Sequence, residues 1–247
     1  MVENSHAILV ANIKGGVGKS TLSSYMADYL RLTYRDHQVK IIDADPQGST
    51  FEMLEPILPR GDVRSLGIGG RYDAVNLVTL DSLLRTYLYS DDHLVVIDSG
   101  AGRPDSLLQI AMSCRCILVP VSLSWADIRP TIDFINIIQE RKDQSRQPYP
   151  HIVVVPNRVP PRQRDLTDIK SALAGLDVVL APGLSELSQV RKQSGAFAGL
   201  SALRGTRYAE QFETLGKFVS EYVLGGKLDA YYTEKRDAQN NIVRLRP

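Results

Sequence analysis

Six short apolar runs, rich in β-branched residues, divide the chain, and each is nearly continuous rather than alternating with polar positions. Strands that are apolar on both faces are typical of a parallel sheet covered by helices on both sides. The runs occupy residues 6–12, 38–45, 93–99, 114–122, 151–157 and 176–182. Stretches of helical period lie between them, at about residues 19–34, 81–90, 104–113, 125–143 and 165–174. This alternation predicts right-handed βαβ units, and hence a single α/β domain with a doubly wound, mainly parallel sheet flanked by helices.

The remaining segments are assigned from composition and period. Residues 59–73 are rich in glycine and proline and are predicted to form a surface loop. A C-terminal helix is predicted over residues 206–224 and is ended by the glycine pair 225–226. Its apolar stripe consists of Tyr208, Phe212, Leu215, Val219 and Tyr222. The domain is therefore expected to span residues 1–225, and residues 226–247 to form a polar extension with a short helix and an extended end.

Charge and composition narrow the class of protein. The 247 residues carry 29 lysines and arginines against 28 acidic residues, so binding to a polyanion requires a local basic patch. No apolar run approaches the roughly 20 residues that span a bilayer, and the N-terminus is not of the secretory type. Cys114 and Cys116 are expected to be reduced core thiols. These features predict a soluble, cytoplasmic protein.

The segment IKGGVGKST, residues 13–21, follows the first apolar run. Its glycines let backbone N–H groups converge on phosphate oxygens, and the following helix adds the partial positive charge of its N-terminus. Lys19 is predicted to neutralise the β- and γ-phosphates and Ser20 to bind magnesium. The predicted nucleotide-binding set in this loop is Lys14, Gly15, Gly16, Val17, Gly18, Lys19, Ser20 and Thr21. A glycine-rich turn without a ligand is the alternative.

Polar residues end the other predicted strands, and in a doubly wound sheet the ligand crevice lies at the carboxyl ends of the strands. Asp43 and Asp45 close the second run, Asp98 closes the third and Asn157 closes the fifth. Asp98 is predicted to be a carboxylate for Mg²⁺, with a helix cap or turn former as the alternative. The following glycines, at 100 and 102, are expected to bring backbone amides to the γ-phosphate.

Three of these segments together resemble a known family. KGGVGKST, DADPQGST at 43–50 and IDSGAG at 97–102 are similar to the deviant Walker A, switch I and Walker B regions of the ParA/MinD family of ATPases, and most similar to ParA-type partition proteins. The resemblance extends to about residue 224 and implies the P-loop NTPase fold, with ATP and Mg²⁺ as cofactors. The chain departs from the family pattern at residues 99–102, where a proline pair is usual before the glycine.

The resemblance also implies roles for individual residues. Lys14 is expected to act in trans, on the nucleotide of a second subunit, and with Lys19 and Asp45 to form the catalytic set. Asp45 would position the attacking water, and Ser20, Asp43 and Asp98 would form the magnesium site. Asn157 would contact the base, and Arg158 is also expected to bind the nucleotide. The alternatives are a lysine with no partner, aspartates that only form the turn before Pro46, and an asparagine that only forms a turn.

The expected function is an ATP-dependent homodimer that binds nonspecific DNA and is released when a cargo-linked activator stimulates hydrolysis. Such a protein partitions or positions DNA or another macromolecular cargo in the cytoplasm of a bacterium or archaeon, where DNA binding brings it to the nucleoid. The candidate DNA contacts are Arg191, Lys192, Arg204, Arg207 and Lys217, with Arg158, Arg162 and Arg164 in a second loop. A solvated helix face explains the first group nearly as well.

Two other functions remain open at this point. A MinD-like switch would bind the membrane through a basic amphipathic C-terminal helix, which the residues NNIVRLRP do not resemble, so membrane binding is not expected. A P-loop enzyme or metallocluster carrier would need a substrate site or suitably spaced cysteines. Because the glycine loop comes so soon after the N-terminus, we expect no helix-turn-helix before it.

Overall fold

The structure is a computed structural model that describes residues 6–67, 73–88, 92–101, 104–146, 149–160, 165–186, 197–225 and 243–245. Its strands are β1 (Ala7–Val10), β2 (Gln38–Asp43), β3 (Val63–Ser65), β4 (His93–Asp98), β5 (Cys116–Val121), β6 (His151–Pro156), β7 (Val178–Leu180) and β8 (Val243–Leu245). Its α-helices are α1 (Lys19–Thr33), α2 (Ser49–Leu54), α3 (Asp73–Leu88), α4 (Pro104–Ala111), α5 (Trp125–Ser145), α6 (Thr167–Ala172) and α7 (Arg207–Lys217). A 3₁₀ segment, Leu200–Leu203, precedes α7, and a π-helical segment, Phe218–Leu224, follows it.

One sheet joins all eight strands in the order β3-β2-β4-β1-β5-β6-β7-β8. Every neighbouring pair is parallel except β7 and β8, which are antiparallel. The chain leaves β1 toward β2 on one side and returns to β5 on the other, so the strand order reverses at β1. The mainly parallel, doubly wound α/β sheet predicted from the sequence is confirmed, and its switch point lies where the glycine loop begins.

The core has two layers, one on each face of the sheet. Along β1, Ile8 and Val10 pack against α1 and α7, whereas Leu9 belongs to the opposite layer with α3, α4 and α5. All four β1 residues are fully buried, which explains why the apolar runs are continuous. Both cysteines are free and buried in this core, as expected. Within the described ranges, no helix is both long enough and apolar enough to cross a bilayer.

The prediction of a surface loop over residues 59–73 is wrong in part. Residues Val63–Ser65 form an edge strand parallel to β2, and α3 begins at Asp73, eight positions before the predicted start at 81. The strand was missed because only Val63 of its three residues is buried, so no apolar run marks it. Asn76 donates to Gly67 O at 3.1 Å, which attaches the first turn of α3 to the loop. Helix α2 was missed as well, since six residues are too few to show a period.

The C-terminal prediction is confirmed within the described residues. The helical segment runs from Arg207 to Leu224, and Tyr208, Phe212, Leu215 and Val219 are buried along one stripe. The side chain of Tyr222 lies outside the described residues, as does most of the predicted extension. Its extended end is seen in β8, which pairs with β7 at the edge of the sheet. The boundary at residue 225 stays a prediction.

Candidate nucleotide site

The glycine loop connects β1 to α1 and turns sharply at its end. Gly18 is the N-cap residue of α1 and has a left-handed backbone with φ 94°, and Gly16 has φ 77°. L-amino acids with a side chain rarely adopt this conformation. Without these turns the N-terminus of α1 would not follow directly on a buried strand. The loop therefore places the positive end of a 15-residue helix at the switch point of the sheet.

Lys19 is a buried cation in the first turn of α1. Its ammonium group donates to the carbonyl oxygen of Lys14 at 2.9 Å, so the side chain folds back along the loop. Burial lowers the pKa of Lys19, and the carboxylates of Asp98 and Asp45 oppose this effect. A buried ammonium group with one carbonyl partner is poorly compensated, which favours an anionic ligand beside it.

Two asparagines hold the loop from opposite sides. Asn12 is fully buried and donates to Pro120 O at 2.9 Å and to Thr131 Oγ1 at 2.8 Å, while its Oδ1 accepts the N–H of Lys14 at 3.0 Å. These contacts tie the start of the loop to the end of β5 and to α5. Sequence reasoning missed Asn12, although a polar residue directly after a buried strand was the available signal.

Asn157 holds the other end of the loop. It is buried; its Nδ2 donates to Val17 O at 2.9 Å and its Oδ1 accepts the N–H of Arg158 at 3.0 Å. A Cβ built on Gly18 would lie 2.4 Å from this Nδ2, so glycine is required there for space as well. Arg158 is exposed and has a left-handed backbone with φ 57°. Because the Asn157 amide is bound to backbone groups, its contact with the base stays a prediction, as does nucleotide binding by Arg158.

Asp43 and Asp45 organise the turn after β2. Asp43 Oδ1 accepts the N–H of Asp45 at 3.0 Å, and Asp43 Oδ2 accepts the N–H of Phe51 in the first turn of α2 at 2.7 Å. Asp45 Oδ1 accepts the N–H of Gln47 at 2.9 Å. Burial raises the pKa of Asp43 to about 6; the Phe51 N–H opposes this rise and the Asp98 carboxylate adds to it. Asp43 thus accepts one N–H from the first turn of α2 and fixes the turn that carries Asp45.

Asp98 ends β4 and is completely buried. Hydroxyl groups surround it: Ser23 donates to Oδ1 at 2.9 Å, Thr50 donates to Oδ2 at 2.7 Å, and Ser20 also bonds to this carboxylate. Burial raises the pKa of Asp98, while the hydroxyls of Thr50, Ser20 and Ser23 favour the ionised form. The predicted metal residues Ser20 and Asp98 are therefore in direct contact, and Asp43 lies near enough to interact electrostatically with Asp98.

The segment after β4 closes the site against the turn after β2. A Cβ built on Gly100 would lie 3.2 Å from Asp45 Oδ1 and 3.3 Å from Pro46 Cδ, so the backbone of residue 100 packs directly on the Asp45 carboxylate. Gly15 faces Ala101 in the same way, at 3.9 Å. The loop, the turn and this segment thus meet at one point. Residue 102, the second predicted glycine, lies outside the described residues.

These residues fit a magnesium nucleotide. Lys19 offers a buried positive charge to phosphates. Burial raises the pKa values of Asp43 and Asp98, and a bound dication would favour their ionised forms. Among the described residues, no group of three or more histidines, cysteines or acids forms a protein-only metal site. A magnesium ion here would depend on the Ser20 hydroxyl, phosphate oxygens and water as well, as is usual for this ion.

Comparison with models of protein families identifies the family to which this chain belongs. Residues 8–194 match the CbiA family, described as the CobQ/CobB/MinD/ParA nucleotide binding domain. The chain belongs to this family. The resemblance found from the three sequence segments is thereby confirmed.

Several proteins with solved structures share the fold over most of the chain. MinD of Pyrococcus horikoshii, a septum site-determining protein complexed with Mg-ADP, has a TM-score of 0.64 at 16% identity and covers 91% of this chain and 97% of its own. A Borrelia burgdorferi protein described as a plasmid partition protein, bound to AMPPNP, has a TM-score of 0.60 at 18% identity and covers 87% and 98%. Cobyrinic acid a,c-diamide synthase of Mycobacterium smegmatis, with an ATP analogue and magnesium, scores 0.63 at 18% identity and covers 98% and 100%. These three differently described proteins have similar TM-scores, from 0.60 to 0.64, so the fold alone does not choose among their activities.

A relative by sequence comes from rhizobia. A Rhizobium rhizogenes protein described as a replication protein A is 34% identical over 95 residues, which are 38% of this chain and 23% of that protein. The match thus spans about a quarter of the length of the curated relative.

Lys14, the second lysine of the loop, does not contribute to the buried cluster of charges. Its ammonium group lies 3.5 Å from Asp127 Oδ1 in the first turn of α5, and the two side chains are 37% and 23% exposed. Asp127 also accepts a hydrogen bond from Ser122 Oγ. The loop of this chain therefore has one buried lysine, Lys19, beside the carboxylates and one partly exposed lysine, Lys14, paired with an acid at the border of the site.

The candidate DNA residues are placed only in part. Arg204, Arg207 and Lys217 are exposed around α7, but Glu210 and Glu213 are exposed on the same helix. The exposed face of α7 is thus mixed in charge rather than basic. The other candidates, Arg162, Arg164, Arg191 and Lys192, lie outside the described residues.

Proposed function

We propose that this chain is an ATP-dependent dimerising switch ATPase that partitions or positions a DNA or macromolecular cargo. It would bind nonspecific DNA as an ATP dimer and leave it after hydrolysis stimulated by a cargo-linked activator. The observation that carries the proposal is that the two loop lysines have different environments. Lys19 is buried among the carboxylates, while Lys14 is partly exposed and pairs with Asp127. A one-subunit phosphate site needs only the first of them.

Binding of ATP with Mg²⁺ is the first step, supported by the loop geometry and by relatives solved with Mg-ADP, AMPPNP or an ATP analogue with magnesium. Lys19 would neutralise the β- and γ-phosphates at the N-terminus of α1. Ser20, Asp43 and Asp98 are the residues that would hold magnesium, either directly or by orienting the groups around it. The ion would supply charge neutralisation to the phosphates.

Dimerisation would then use Lys14. Two nucleotides that face each other across an interface repel, and a lysine contributed by each subunit to the other offsets that charge. To reach a partner, Lys14 must leave Asp127. Their charged atoms are 3.5 Å apart and both side chains are partly exposed, so this pair costs little to break. The same pair would hold Lys14 in place in the separate subunit.

Hydrolysis would depend on Asp45. The turn held by Asp43 and the backbone of Gly100 fix the Asp45 carboxylate beside the loop, and the positive charge of Lys19 acts on the same region. A carboxylate held in this way is suited to orient an attacking water in line with the phosphate. Lysines and the metal would carry most of the transition-state charge.

The choice of partition over the other activities of the family is supported by the DPQG turn and by the relatives described as plasmid partition and replication proteins. The proposal also includes DNA binding by the ATP dimer and stimulation of hydrolysis by the cargo-linked activator. We place the protein in the bacterial or archaeal cytoplasm, at the nucleoid in its ATP state. Sedimentation with liposomes and mobility shift with DNA, each in ATP and in ADP, separate this function from a membrane switch: we expect a shift only with DNA and ATP.

The decisive experiment compares four variants by light scattering, nucleotide binding and ATP hydrolysis. Lys14→Gln should bind ATP with unchanged affinity but form no ATP-dependent dimer. Asp127→Asn, the matched control on the other side of the pair, should dimerise at lower protein concentration because Lys14 is released. Asp45→Ala should bind ATP and dimerise without turnover, whereas Asp81→Ala, which removes an exposed acid, should hydrolyse normally. Normal dimers of Lys14→Gln would refute the proposal.

A further inference from the structure

Thr50 is a buried residue that no motif assigns to a role. It lies in the first turn of α2 and is fully buried. Its hydroxyl donates to Asp98 Oδ2 at 2.7 Å and lies 3.4 Å from the carbonyl oxygen of Ser20. One side chain thus contacts the end of β4 and the start of α1 from a third element.

Asp98 depends on hydroxyl groups for its position. The ion pairs among the described residues do not include Asp98, and its two oxygens are occupied from different sides by Ser23 and Thr50. A carboxylate held at both oxygens cannot rotate about its side-chain bonds without losing a hydrogen bond in a buried site. Thr50 is the contact that fixes Oδ2.

The orientation of Asp98 in turn sets that of Ser20. A hydroxyl has one proton, and because Ser20 bonds to Asp98, its lone pairs remain free for a cation. If Asp98 rotated, Ser20 would lose this constraint. Groups that act on a metal site through another residue in this way commonly change metal affinity by about 10- to 100-fold.

Thr50 also connects the carboxylate to the turn that carries Asp45. Its neighbour Phe51 donates its N–H to Asp43 Oδ2, so adjacent residues of α2 are attached to Asp98 and to Asp43. Asp98 and the turn after β2 are thereby attached to one turn of the same helix.

We propose that Thr50 is a positioning residue whose hydroxyl orients Asp98, and through it Ser20, for magnesium binding, and links that site to the Asp43–Asp45 turn. The inference rests on the proposed binding of a magnesium nucleotide but not on dimerisation, hydrolysis or DNA. It assigns to the DPQGST segment a second task besides carrying Asp45.

The test measures the Mg²⁺ requirement of ADP binding by calorimetry, in a magnesium series and in EDTA. Thr50→Val keeps the shape and removes the hydroxyl, and it should need about tenfold more Mg²⁺ while its ADP affinity in EDTA stays unchanged. Thr50→Ser should restore the wild-type requirement. Thr214→Val removes an exposed hydroxyl from α7 and should have no effect.

The outcomes separate this inference from the proposed function. If Thr50→Val needs no more Mg²⁺ than the wild type, Thr50 has no positioning role. If Thr50→Val does not fold, Ser23→Ala tests the same carboxylate from Oδ1: a requirement several-fold above wild type supports the inference and an unchanged one overturns it. A wild-type chain that does not bind Mg-ADP would overturn the proposed function and this inference together.

Discussion

The carboxyl edge of the sheet and the exposed face of α7 carry polar side chains of very different kinds. At the edge they are buried and each has named partners, as for Asn12, Asp98 and Asn157. On α7 and just before it, Arg204, Arg207 and Lys217 are exposed beside Glu210 and Glu213. Most of the buried polar side chains of the described residues lie at the edge.

This difference shows that a functional assignment is better supported by buried polar contacts than by exposed charges. A buried polar group is costly unless it is paired, so a cluster of them exists only where each contact is specific. An exposed charge costs little free energy whether or not it binds a ligand, so its presence is weak evidence for a function. The nucleotide site is therefore defined by its contacts, whereas the DNA surface is an inference from charge. Four predictions test this contrast.

The largest effect is expected at Gly18. An alanine there would combine a left-handed backbone with a Cβ 2.4 Å from Asn157 Nδ2, and we expect nucleotide affinity to fall by about 100-fold or more. Gly16→Ala is the graded control, because that residue has a left-handed backbone but open space around it. Calorimetric titration with ATP should rank Gly18→Ala well below Gly16→Ala. Equal affinities would mean that the Asn157 contact is unimportant.

The second effect is a pH dependence of stability without nucleotide. The folded-state pKa of Asp43 is raised to about 6 from 3.8, so its stabilising contribution is present below about pH 4 and is lost as pH rises through 6. Relative to Asp43→Asn, the free energy of unfolding of the wild type should fall by up to about 3 kcal/mol across this window. Urea unfolding at several pH values measures it. Parallel pH profiles of the two proteins would contradict the burial of Asp43 as a charged group.

A third effect concerns packing behind α7 rather than its exposed face. A Cβ on Gly216 would lie 2.6 Å from the Tyr29 ring of α1, so Gly216→Ala should lower the free energy of unfolding by about 1–3 kcal/mol. Nucleotide affinity should stay at the wild-type value, since the contact is far along α1 from the glycine loop. Thermal unfolding and ATP titration measure the two quantities, and a parallel loss of affinity would show that the two regions are coupled.

The smallest effect on stability is expected from the exposed charges. Arg204→Glu with Arg207→Glu should change the free energy of unfolding by less than about 0.5 kcal/mol and leave ATP binding intact. DNA affinity in ATP should fall, with the salt slope reduced by about one per lost phosphate contact. Arg141→Glu with Arg146→Glu, the same charge change at the end of α5, is the control. Equal DNA affinity of both variants would remove α7 from the DNA surface.

The sequence predictions were accurate for strands that are buried on both faces and failed for the exposed edge strand and for long-range contacts. Runs such as HAILVAN and HLVVIDS gave correct strands because burial on both faces leaves a continuous apolar signal. The edge strand Val63–Ser65 gave none, since two of its three side chains face solvent. Asn12 was missed because its partners, Pro120 and Thr131, are about half the chain away and follow no local pattern.

The fold class and the candidate nucleotide loop could both be predicted from the amino-acid sequence alone. Alternating apolar runs and helical periods predict a covered parallel sheet, and a glycine loop ending in Gly18-Lys19-Ser20 after a buried strand predicts a phosphate site. Both are local patterns that depend on neighbours a few positions apart.

The contacts that hold the site together could be found only in the folded structure. The bond from Thr50 to Asp98 joins residues 48 positions apart, and that from Asn157 to Val17 joins residues 140 positions apart. The pairing of Lys14 with Asp127 is equally long-range. Such contacts arise when the sheet brings strand ends together, because buried polar groups must then find partners among whatever residues the topology places beside them.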